Sequence, residues 1–330
     1  MADRPGNGDR GEQLEAALLG APCVLDRDEV SAEAGVPELE ARAIWNALGF
    51  PVVAPGEKAF TRKDAEALQT ALELRDGGLV DADTLLVLAR SMGQGLARMA
   101  EAQVDVFREL AAGMTPEEAT ETALYSADEV LPRLEQLVVH VWRRQFAAAA
   151  ARAFATGGQS TRPSVAVGFV DIVDFTASTR TWDAATLEQL LERFERETSL
   201  RVTAFGGRVV KTLGDEVMYA TDDPRAAVEV ALDTVAAHAA DDELPDVRAG
   251  IAYGPVLQRL GDVFGDPVNL ASRLTDQARP RSVLVDSAVV EALEDSGMAE
   301  GAYETKRLRK RSVRGYRSLT PHLLRRLDDE

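Results

Sequence analysis

The feature that most constrains this chain is a change of hydrophobic periodicity across residues 156–163. Before this segment, apolar residues such as Leu85 and Leu88 recur every three or four positions, which is the period of a helix. After Pro163 the chain continues with VAVGFVDIV, a β-branched apolar run typical of a buried strand. The segment between them is polar and contains Gly and Pro, which indicates a linker. The sequence therefore predicts two domains of different architecture.

We expect an all-α domain first and an α+β domain second. A long helix is predicted at the end of the first domain, where the chain runs into the alanine-rich stretch FAAAAARAFA. The predicted boundaries are a helical domain at 1–155 with its long last helix at about 127–154, a linker at 156–163, a second domain at 164–320 and a C-terminal tail at 321–330.

Composition excludes several classes of protein. The chain has 330 residues and a formal net charge of −18, which disfavours binding to a nucleic-acid backbone. Its single cysteine, Cys23, excludes an internal disulfide and a cysteine-based zinc cluster. No 18 apolar residues run together and the N-terminus carries no apolar stretch, so we expect no membrane span and a cytoplasmic location. The one basic run, at 305–317, is interpreted as a solvated charged face.

The pattern of the second segment predicts a sheet covered by helices. A helical spacing over 184–205 follows the first strand, and RVVKTLGDEVMYAT then indicates strand, tight glycine turn and strand. A helix from about Pro224, the strand VRAGIAYG and a helix from about Pro267 complete the pattern. The order βαββαβ with additions is the ferredoxin-like arrangement, an antiparallel or mixed sheet with helices packed on it.

Two carboxylates in this segment are candidate metal ligands. Asp171 lies at the end of the buried strand, where a charge is costly unless it is paired or binds a metal. Asp215 follows Gly214 in the predicted turn, and the two converge if that hairpin lies beside the first strand. Two carboxylates with few other ligands suit Mg²⁺ or Mn²⁺, which keep waters and accept phosphate oxygens. Taken alone, an aspartate in a turn is more often explained by turn chemistry.

A third group of polar residues lies in the segment DVFGDPVNLASR. Asn269 and Arg273 are four residues apart on a predicted helix, so both side chains project from one face. An amide and a guanidinium on one face suit an anion or the charge that develops on a phosphorus atom. A pair of solvated surface residues would have the same spacing.

In this order and setting, the three groups resemble the class III nucleotidyl cyclases, the family of adenylate and guanylate cyclase catalytic domains. The resemblance covers about half of the chain. It implies that Asp171, Ile172 and Asp215 hold metal. It also implies that backbone N–H groups of the loop that contains Phe175 and Thr176 bind the triphosphate.

The resemblance further implies how the nucleotide is recognised. Lys211 and Asp262 match the pair that contacts adenine, with the lysine donating to ring N1 and the carboxylate accepting from the exocyclic amine. Guanylate cyclases commonly carry Glu and Cys at these two positions, so the pair favours ATP. Asn269 matches the residue that orients the ribose and Arg273 the one that stabilises charge at the α-phosphate. Arg314 matches a phosphate-binding lysine more loosely.

The implied activity is that of an adenylate cyclase, in which the ribose 3′-hydroxyl of ATP attacks the α-phosphorus to give 3′,5′-cyclic AMP and pyrophosphate. Two divalent cations, Mg²⁺ or Mn²⁺, are the implied cofactors. In this family the metal aspartates come from one subunit and the Asn and Arg from the other, so a homodimer is expected. Asp174 stands where the family often has Gly or Ser, which puts catalytic efficiency in question. The alternative is a catalytically weak or silent cyclase fold that senses nucleotides.

The first domain resembles the helical regulatory segment that precedes the catalytic domain in some actinobacterial cyclases. A small-molecule, lipid or pH signal is expected to act there. His140 is a candidate for a pH response and the apolar residues of 85–99 for a lipid cavity, although ordinary packing explains both more simply. Part of the domain loosely resembles a MerR-type winged helix-turn-helix, but residues 22–75 hold ten acids and six bases, so we expect no nucleic-acid binding.

Overall fold

The computed structural model describes residues 7–155, 162–175, 182–295, 302–313 and 316–327. The chain divides into two compact units, Met1–Ala151 and Arg152–Glu330. Each unit has its own hydrophobic core.

The described part of the first unit is built from helices, with an isolated β-bridge between Leu25 and Phe60. Its elements are α1 (Asn7–Leu19), α2 (Arg27–Ala34), α3 (Glu38–Leu48), α4 (Arg62–Asp76), α5 (Ala82–Leu110), α6 (Pro116–Tyr125), a π-helical turn (Ser126–Val130) and α7 (Leu131–Ala155).

A side-chain cap determines where α2 begins. The Asp26 carboxylate accepts hydrogen bonds from the N–H groups of Asp28 and Glu29 at 3.1 and 3.0 Å, and the Glu29 carboxylate accepts one from the Asp26 N–H at 2.9 Å. This reciprocal pair satisfies N–H groups that have no partner within the helix. The core beneath contains Trp45 and Leu68.

The outer surface of the first unit carries several apolar side chains. Leu85 and Ala89 of α5 are buried, whereas Met92 and Leu96 of the same helix are each 51% exposed. The two latter side chains therefore face outward rather than into an enclosed lipid cavity. His140 is also exposed, on α7. Among the described helices, none combines the length and the apolar character needed to cross a membrane.

The second unit contains strands and helices in alternation. They are β1 (Ser164–Ile172), α8 (Ala184–Ala204), β2 (Arg208–Leu213), β3 (Glu216–Thr221), α9 (Pro224–Ala239), β4 (Val247–Pro255), β5 (Leu257–Arg259), β6 (Asp262–Phe264), α10 (Asp266–Gln277), β7 (Val283–Val285), α11 (Ser287–Asp295), β8 (Tyr303–Arg307), β9 (Arg311–Val313), β10 (Tyr316–Leu319) and β11 (His322–Arg326).

A seven-stranded sheet organises this unit, in the strand order β2-β3-β1-β4-β7-β11-β8. Strand β1 runs antiparallel to both of its neighbours, β3 and β4, whereas β4 and β7 are parallel. Two further pairs, β5–β6 and β9–β10, form small separate hairpins. The α+β class and the βαββαβ order predicted from the sequence are confirmed.

Helices cover both faces of the sheet, and β1 is accordingly apolar at consecutive positions. Ala166 and Val170 point to the face where α8, α9 and α11 pack, and Val165 and Val167 point to the face covered by α10. A strand buried on both sides reads as a continuous apolar run rather than an alternating one. The charge of Asp171 at its end is therefore exceptional.

Gly250 on β4 allows α10 to lie close to the sheet. A Cβ atom at this position would come within 2.5 Å of the carbonyl oxygen of Ala271 and 2.3 Å of the backbone nitrogen of Thr275, both on α10. Only glycine fits such an approach. This contact sets the position of the helix that carries Asn269 and Arg273.

Candidate active site

Three charged residues lie side by side on adjacent strands at the end of β1. In the strand register, Asp171 is opposite Glu216 on β3 and opposite Arg248 on β4. Directly opposite residues on neighbouring strands place their side chains on the same face of the sheet. The order of the strands therefore gathers two carboxylates and one guanidinium at a single point.

Arg248 holds Asp171 by a charge-assisted pair. Its Nε and Nη2 both donate to Oδ2 of Asp171, at 2.8 and 2.6 Å, and its Nη1 donates to the backbone carbonyl of Asp276 at 3.2 Å. The Asp171 side chain is only 14% exposed. Burial raises the pKa of this carboxyl above its usual range even though Arg248 acts in the opposite direction.

The turn between β2 and β3 brings Asp215 to the same place. Gly214 adopts a left-handed conformation (φ +69°), which the tight turn requires. The N–H of Ile172 donates to the backbone carbonyl of Asp215 at 3.1 Å, so the turn is fixed to the end of β1. Asp171, Ile172 and Asp215 all line one cavity.

This cavity has a volume of about 590 Å³ and an excess of negative charge. Five carboxylates and one guanidinium line it. Burial raises the pKa of Glu216 to about 7, and the nearby charges of Asp171, Asp276 and Asp215 act in the same direction. The lining residues are Asp171, Ile172, Asp174, Phe175, Leu213, Asp215, Glu216, Arg248, Ser272 and Asp276.

The donor set of the cavity fits a hard divalent cation. Carboxylate and carbonyl oxygens are the ligands that Mg²⁺ and Mn²⁺ prefer, and neither His nor Cys is among the lining residues. In the part of the chain that the structure describes, no three His, Cys, Asp or Glu side chains already surround one point. A cation bound here would thus take some of its ligands from the nucleotide and water.

Asp174 occupies an unusual backbone conformation at the edge of the cavity. Its φ is +55°, in the left-handed region that favours glycine. The next residue, Phe175, also lines the cavity and contacts Trp182 edge to face, with ring centroids 6.2 Å apart. Thr176, which the resemblance assigns to phosphate binding, lies outside the described residues.

Lys211 and Asp262 form an ion pair although 51 positions separate them. Lys211 Nζ donates to Oδ2 of Asp262 at 2.8 Å, and the N–H of Val263 donates to Oδ1 at 2.7 Å. Burial alone would raise the pKa of Asp262, but these hydrogen bonds outweigh it and hold the pKa below its usual range. Both side chains stay about one-third exposed, at 38% for Lys211 and 30% for Asp262, so they are accessible to a ligand.

Asn269 and Arg273 lie on α10 but do not line the acidic cavity of their own chain. Arg273 Nη1 forms an ion pair with Asp276 at 3.1 Å and is 40% exposed. Two other residues of the same helix, Ser272 and Asp276, do line the cavity. Arg314 lies outside the described residues. The structure thus brings the predicted metal ligands together at one cavity. Asn269 and Arg273 are not among the residues that line it, although Arg273 contacts the lining residue Asp276.

Sequence reasoning missed three charged residues of the site, Arg248, Glu216 and Asp276. Arg248 is the polar position of the strand VRAGIAYG, and its role depends on the pairing of β4 with β1. Glu216 directly follows Asp215, and Asp276 lies three residues after Arg273. A search for charged residues at the ends of predicted strands would have found Arg248 and Glu216. Glu216 is the first residue of β3 and Arg248 is the second residue of β4.

Comparisons with known proteins show which family this chain is similar to. The family model described as "Adenylate and Guanylate cyclase catalytic domain" matches residues 159–326. An adenylate cyclase of Streptomyces coelicolor is 42% identical over 301 residues, which is 88% of this chain and 78% of that protein. An adenylate cyclase of Glutamicibacter nicotianae is 34% identical over 331 residues, 94% of this chain and 81% of that protein.

Solved structures are similar over about half of this chain. The crystal structure of the adenylyl cyclase CyaB from P. aeruginosa is 21% identical, covers 51% of this chain and 96% of its own, and has a TM-score of 0.45. The relatives with named activity are thus similar along most of this chain, including the helical first unit, whereas the solved structures match about half of it.

Proposed function

This chain belongs to the family of adenylate and guanylate cyclase catalytic domains and is an adenylate cyclase, and we propose that it cyclises ATP with two divalent cations at sites composed from two copies of the chain. The observation that carries the proposal is the cavity at the end of β1. Its five carboxylates and one guanidinium leave a net negative charge that divalent cations would offset, and the bound cations would in turn attract a triphosphate.

Asp171 and Asp215, with the backbone of Ile172, are the proposed ligands for Mg²⁺ or Mn²⁺. When bound, such cations lower the pKa of a ribose 3′-hydroxyl and neutralise the triphosphate. The 3′-oxygen then forms a bond to the α-phosphorus while the bond to pyrophosphate breaks. The hydroxyl proton passes to water or to a carboxylate of the site, so a separate general base is not required.

Lys211 and Asp262 are the proposed readers of the base. Adenine presents an acceptor at N1 and a donor at its exocyclic amine, which match a lysine and a carboxylate respectively. Guanine presents the reverse, a donor at N1 and an acceptor at O6. The ion pair observed between Lys211 and Asp262 keeps both groups charged and near one another before the base enters.

Asn269 and Arg273 are proposed to act on the site of the partner copy. Neither lines the acidic cavity of its own chain, and a second copy would supply what that cavity lacks. Asn269 would orient the ribose and Arg273 would stabilise charge on the α-phosphoryl group. The backbone near Phe175 and Thr176 would hold the triphosphate, with Arg314 as a further phosphate ligand.

The first unit is proposed to regulate the second in response to a small molecule, a lipid or pH. The adenylate cyclases of Streptomyces coelicolor and Glutamicibacter nicotianae match 88% and 94% of this chain, so the two units occur together in them. A comparison of cyclic-nucleotide production by the full chain in the presence and absence of lipids, and across pH values, would identify the class of signal.

A direct assay of product tests the main proposal. Full-length protein is supplied with ATP or GTP and either Mn²⁺ or Mg²⁺, and cyclic nucleotides are quantified. We expect cyclic AMP from ATP, with activity lowered at least about a hundredfold by Asp171→Asn or Asp215→Asn. Asp295→Asn, at an exposed position of α11, is the matched control and should retain full activity. ATP binding without product would instead favour the silent nucleotide sensor.

A further inference from the structure

Edge strand β2 contains a β-bulge whose effect is to turn two basic residues toward one hairpin. In its pairing with β3, Arg208 is opposite Ala220, Val209 is opposite Tyr219 and Lys211 is opposite Met218, so Val210 is an extra residue. Arg208 and Lys211 are three positions apart and would face opposite sides of a regular strand. Because of the bulge, both face the side of the sheet on which α10 packs.

The β5–β6 hairpin lies on that same side. Val263 of β6 is buried in the core cluster that also contains Met218 and Ala220. Leu260 and Gly261 form the tip of the hairpin and both adopt left-handed conformations, with φ of 52° and 83°. Asp262, the proposed adenine reader, immediately follows this tip, so its position depends on how the turn is held.

Arg208 contacts the turn directly. Its Nη1 donates to the backbone carbonyl of Gly261 at 3.5 Å, one residue before Asp262. The arginine is half-buried, and burial lowers the pKa of its guanidinium, while the carboxylates of Asp222 and Asp262 act in the opposite direction. The hairpin is thus joined to β2 at two adjacent points, by Arg208 at Gly261 and by Lys211 at Asp262.

We infer that Arg208 is a positioning residue for base selectivity, holding the Leu260–Gly261 turn so that Asp262 stays beside Lys211. The inference rests on the proposed role of Lys211 and Asp262 in reading adenine. Arg208 itself lies on neither the acidic cavity nor the proposed metal ligands. Its loss therefore changes how the base is read, and leaves the cyclisation step of a correctly bound nucleotide intact.

Steady-state kinetics with ATP and GTP test this role in the full-length enzyme. In Arg208→Met, which keeps an apolar stem and removes the donor, we expect KM for ATP to rise about fivefold. The ratio of kcat/KM for ATP to that for GTP should fall by a similar factor, while kcat at saturating ATP stays within about twofold. Arg208→Lys, which restores a donor and a charge, should recover part of the selectivity. Arg196→Met, at an exposed arginine on α8, is the control for the loss of one positive charge.

A merely structural role for Arg208 predicts a different result. A general loss of stability would lower the thermal unfolding midpoint and reduce kcat for both nucleotides, with the selectivity ratio unchanged, and this outcome would overturn the inference. A second variant, Gly261→Ala, strains the same turn because of its positive φ. If Arg208 acts through the turn, the selectivity losses of Arg208→Met and Gly261→Ala should not add in the double variant. Full additivity would also overturn the inference.

Lys211→Ala separates failure of this inference from failure of the proposed function. If Lys211→Ala lowers the selectivity ratio and Arg208→Met does not, only the positioning role is overturned. If Lys211→Ala leaves the ratio unchanged, the assignment of Lys211 and Asp262 as base readers fails and the role of Arg208 fails with it. A fall of the ratio in both variants, with partial recovery in Arg208→Lys, supports the inference.

Discussion

Two N–H groups of Arg248 donate to the same carboxylate oxygen of Asp171, Oδ2. The guanidinium therefore pairs with the carboxylate that we propose as a metal ligand. The pair lies across β1 and β4 in direct register. A cation that binds Asp171 must share the carboxylate with Arg248 or displace it. In the metal-free chain, Arg248 is therefore the group that keeps a largely buried carboxylate compensated.

The first prediction concerns the stability of the metal-free protein. Arg248→Met should destabilise it by about 1–3 kcal/mol, because the Asp171 carboxylate is left buried without its charged partner. Mn²⁺ should then raise the thermal unfolding midpoint more in the variant than in the wild type, since the cation supplies the missing charge. Thermal unfolding with and without Mn²⁺ measures both effects. Equal stabilisation of the two proteins by Mn²⁺ would contradict the competition between Arg248 and the cation.

The second prediction concerns composite sites. Asp171→Asn and Arg273→Ala chains should each be inactive, whereas a mixture of the two should recover up to about a quarter of the wild-type activity per chain. The reason is that half of the random dimers are mixed and one of the two sites in each mixed dimer is intact. Production of cyclic AMP by the mixture is the measurement. A mixture of Asp171→Asn and Asp215→Asn chains is the control and should stay inactive, because both changes affect the same half-site.

Parts of the site follow from local sequence, and others depend on pairing between distant strands. A buried run that ends in Asp171 and a glycine turn that carries Asp215 are both visible in the sequence, and the order βαββαβ places them near each other. The family resemblance implies that Lys211 and Asp262 contact the same base, but the ion pair between them was not predicted. Nothing in the local sequence of β2 indicates that Lys211 forms an ion pair with a residue on a hairpin 51 positions away.

The pairing of the remaining residues depends on strand register, which the local sequence does not specify. Arg248 faces Asp171 because of the pairing of β4 with β1, and a shift of one residue would move it to the other face of the sheet. The bulge at Val210 is likewise a property of the pairing between β2 and β3. A period-two pattern predicts that Arg208 and Lys211 lie on opposite faces, and the bulge reverses this.

A third prediction concerns Asp174. Its left-handed backbone conformation is strained for a residue with a Cβ, and its carboxylate adds negative charge to a cavity that we propose binds a triphosphate. Asp174→Gly should lower KM for ATP severalfold and stabilise the protein by up to about 1 kcal/mol. Asp174→Ala separates the two effects, because it removes the charge and keeps the strain. An unchanged KM in both variants would show that the carboxylate points away from the nucleotide.

A fourth prediction concerns discrimination between ATP and GTP. Replacing the pair by residues of the guanylate type, Lys211→Glu with Asp262→Cys, should lower kcat/KM for ATP and raise it for GTP, because the donor and acceptor positions are exchanged. Competition between the two nucleotides, followed through both cyclic products, gives the ratio directly. Arg196→Met again serves as a charge control on α8. Unchanged selectivity in the double variant would remove base recognition from these two residues.

The last prediction concerns pH and stability. Asp286 lies between β7 and α11, where its Oδ1 accepts a hydrogen bond from the N–H of Val289 at 2.9 Å, and burial raises its pKa to about 6. A carboxyl whose pKa is higher in the folded state than in the unfolded state stabilises the fold while protonated, and this contribution is lost as pH rises from about 4 through about 6. Asp286→Asn keeps a cap and cannot ionise. The wild type should therefore lose stability relative to this variant between about pH 4 and about pH 6, as measured by thermal unfolding midpoints. Asp295→Asn, exposed on the same helix, should follow the wild type across this range, and a parallel response of Asp286→Asn would refute the assignment.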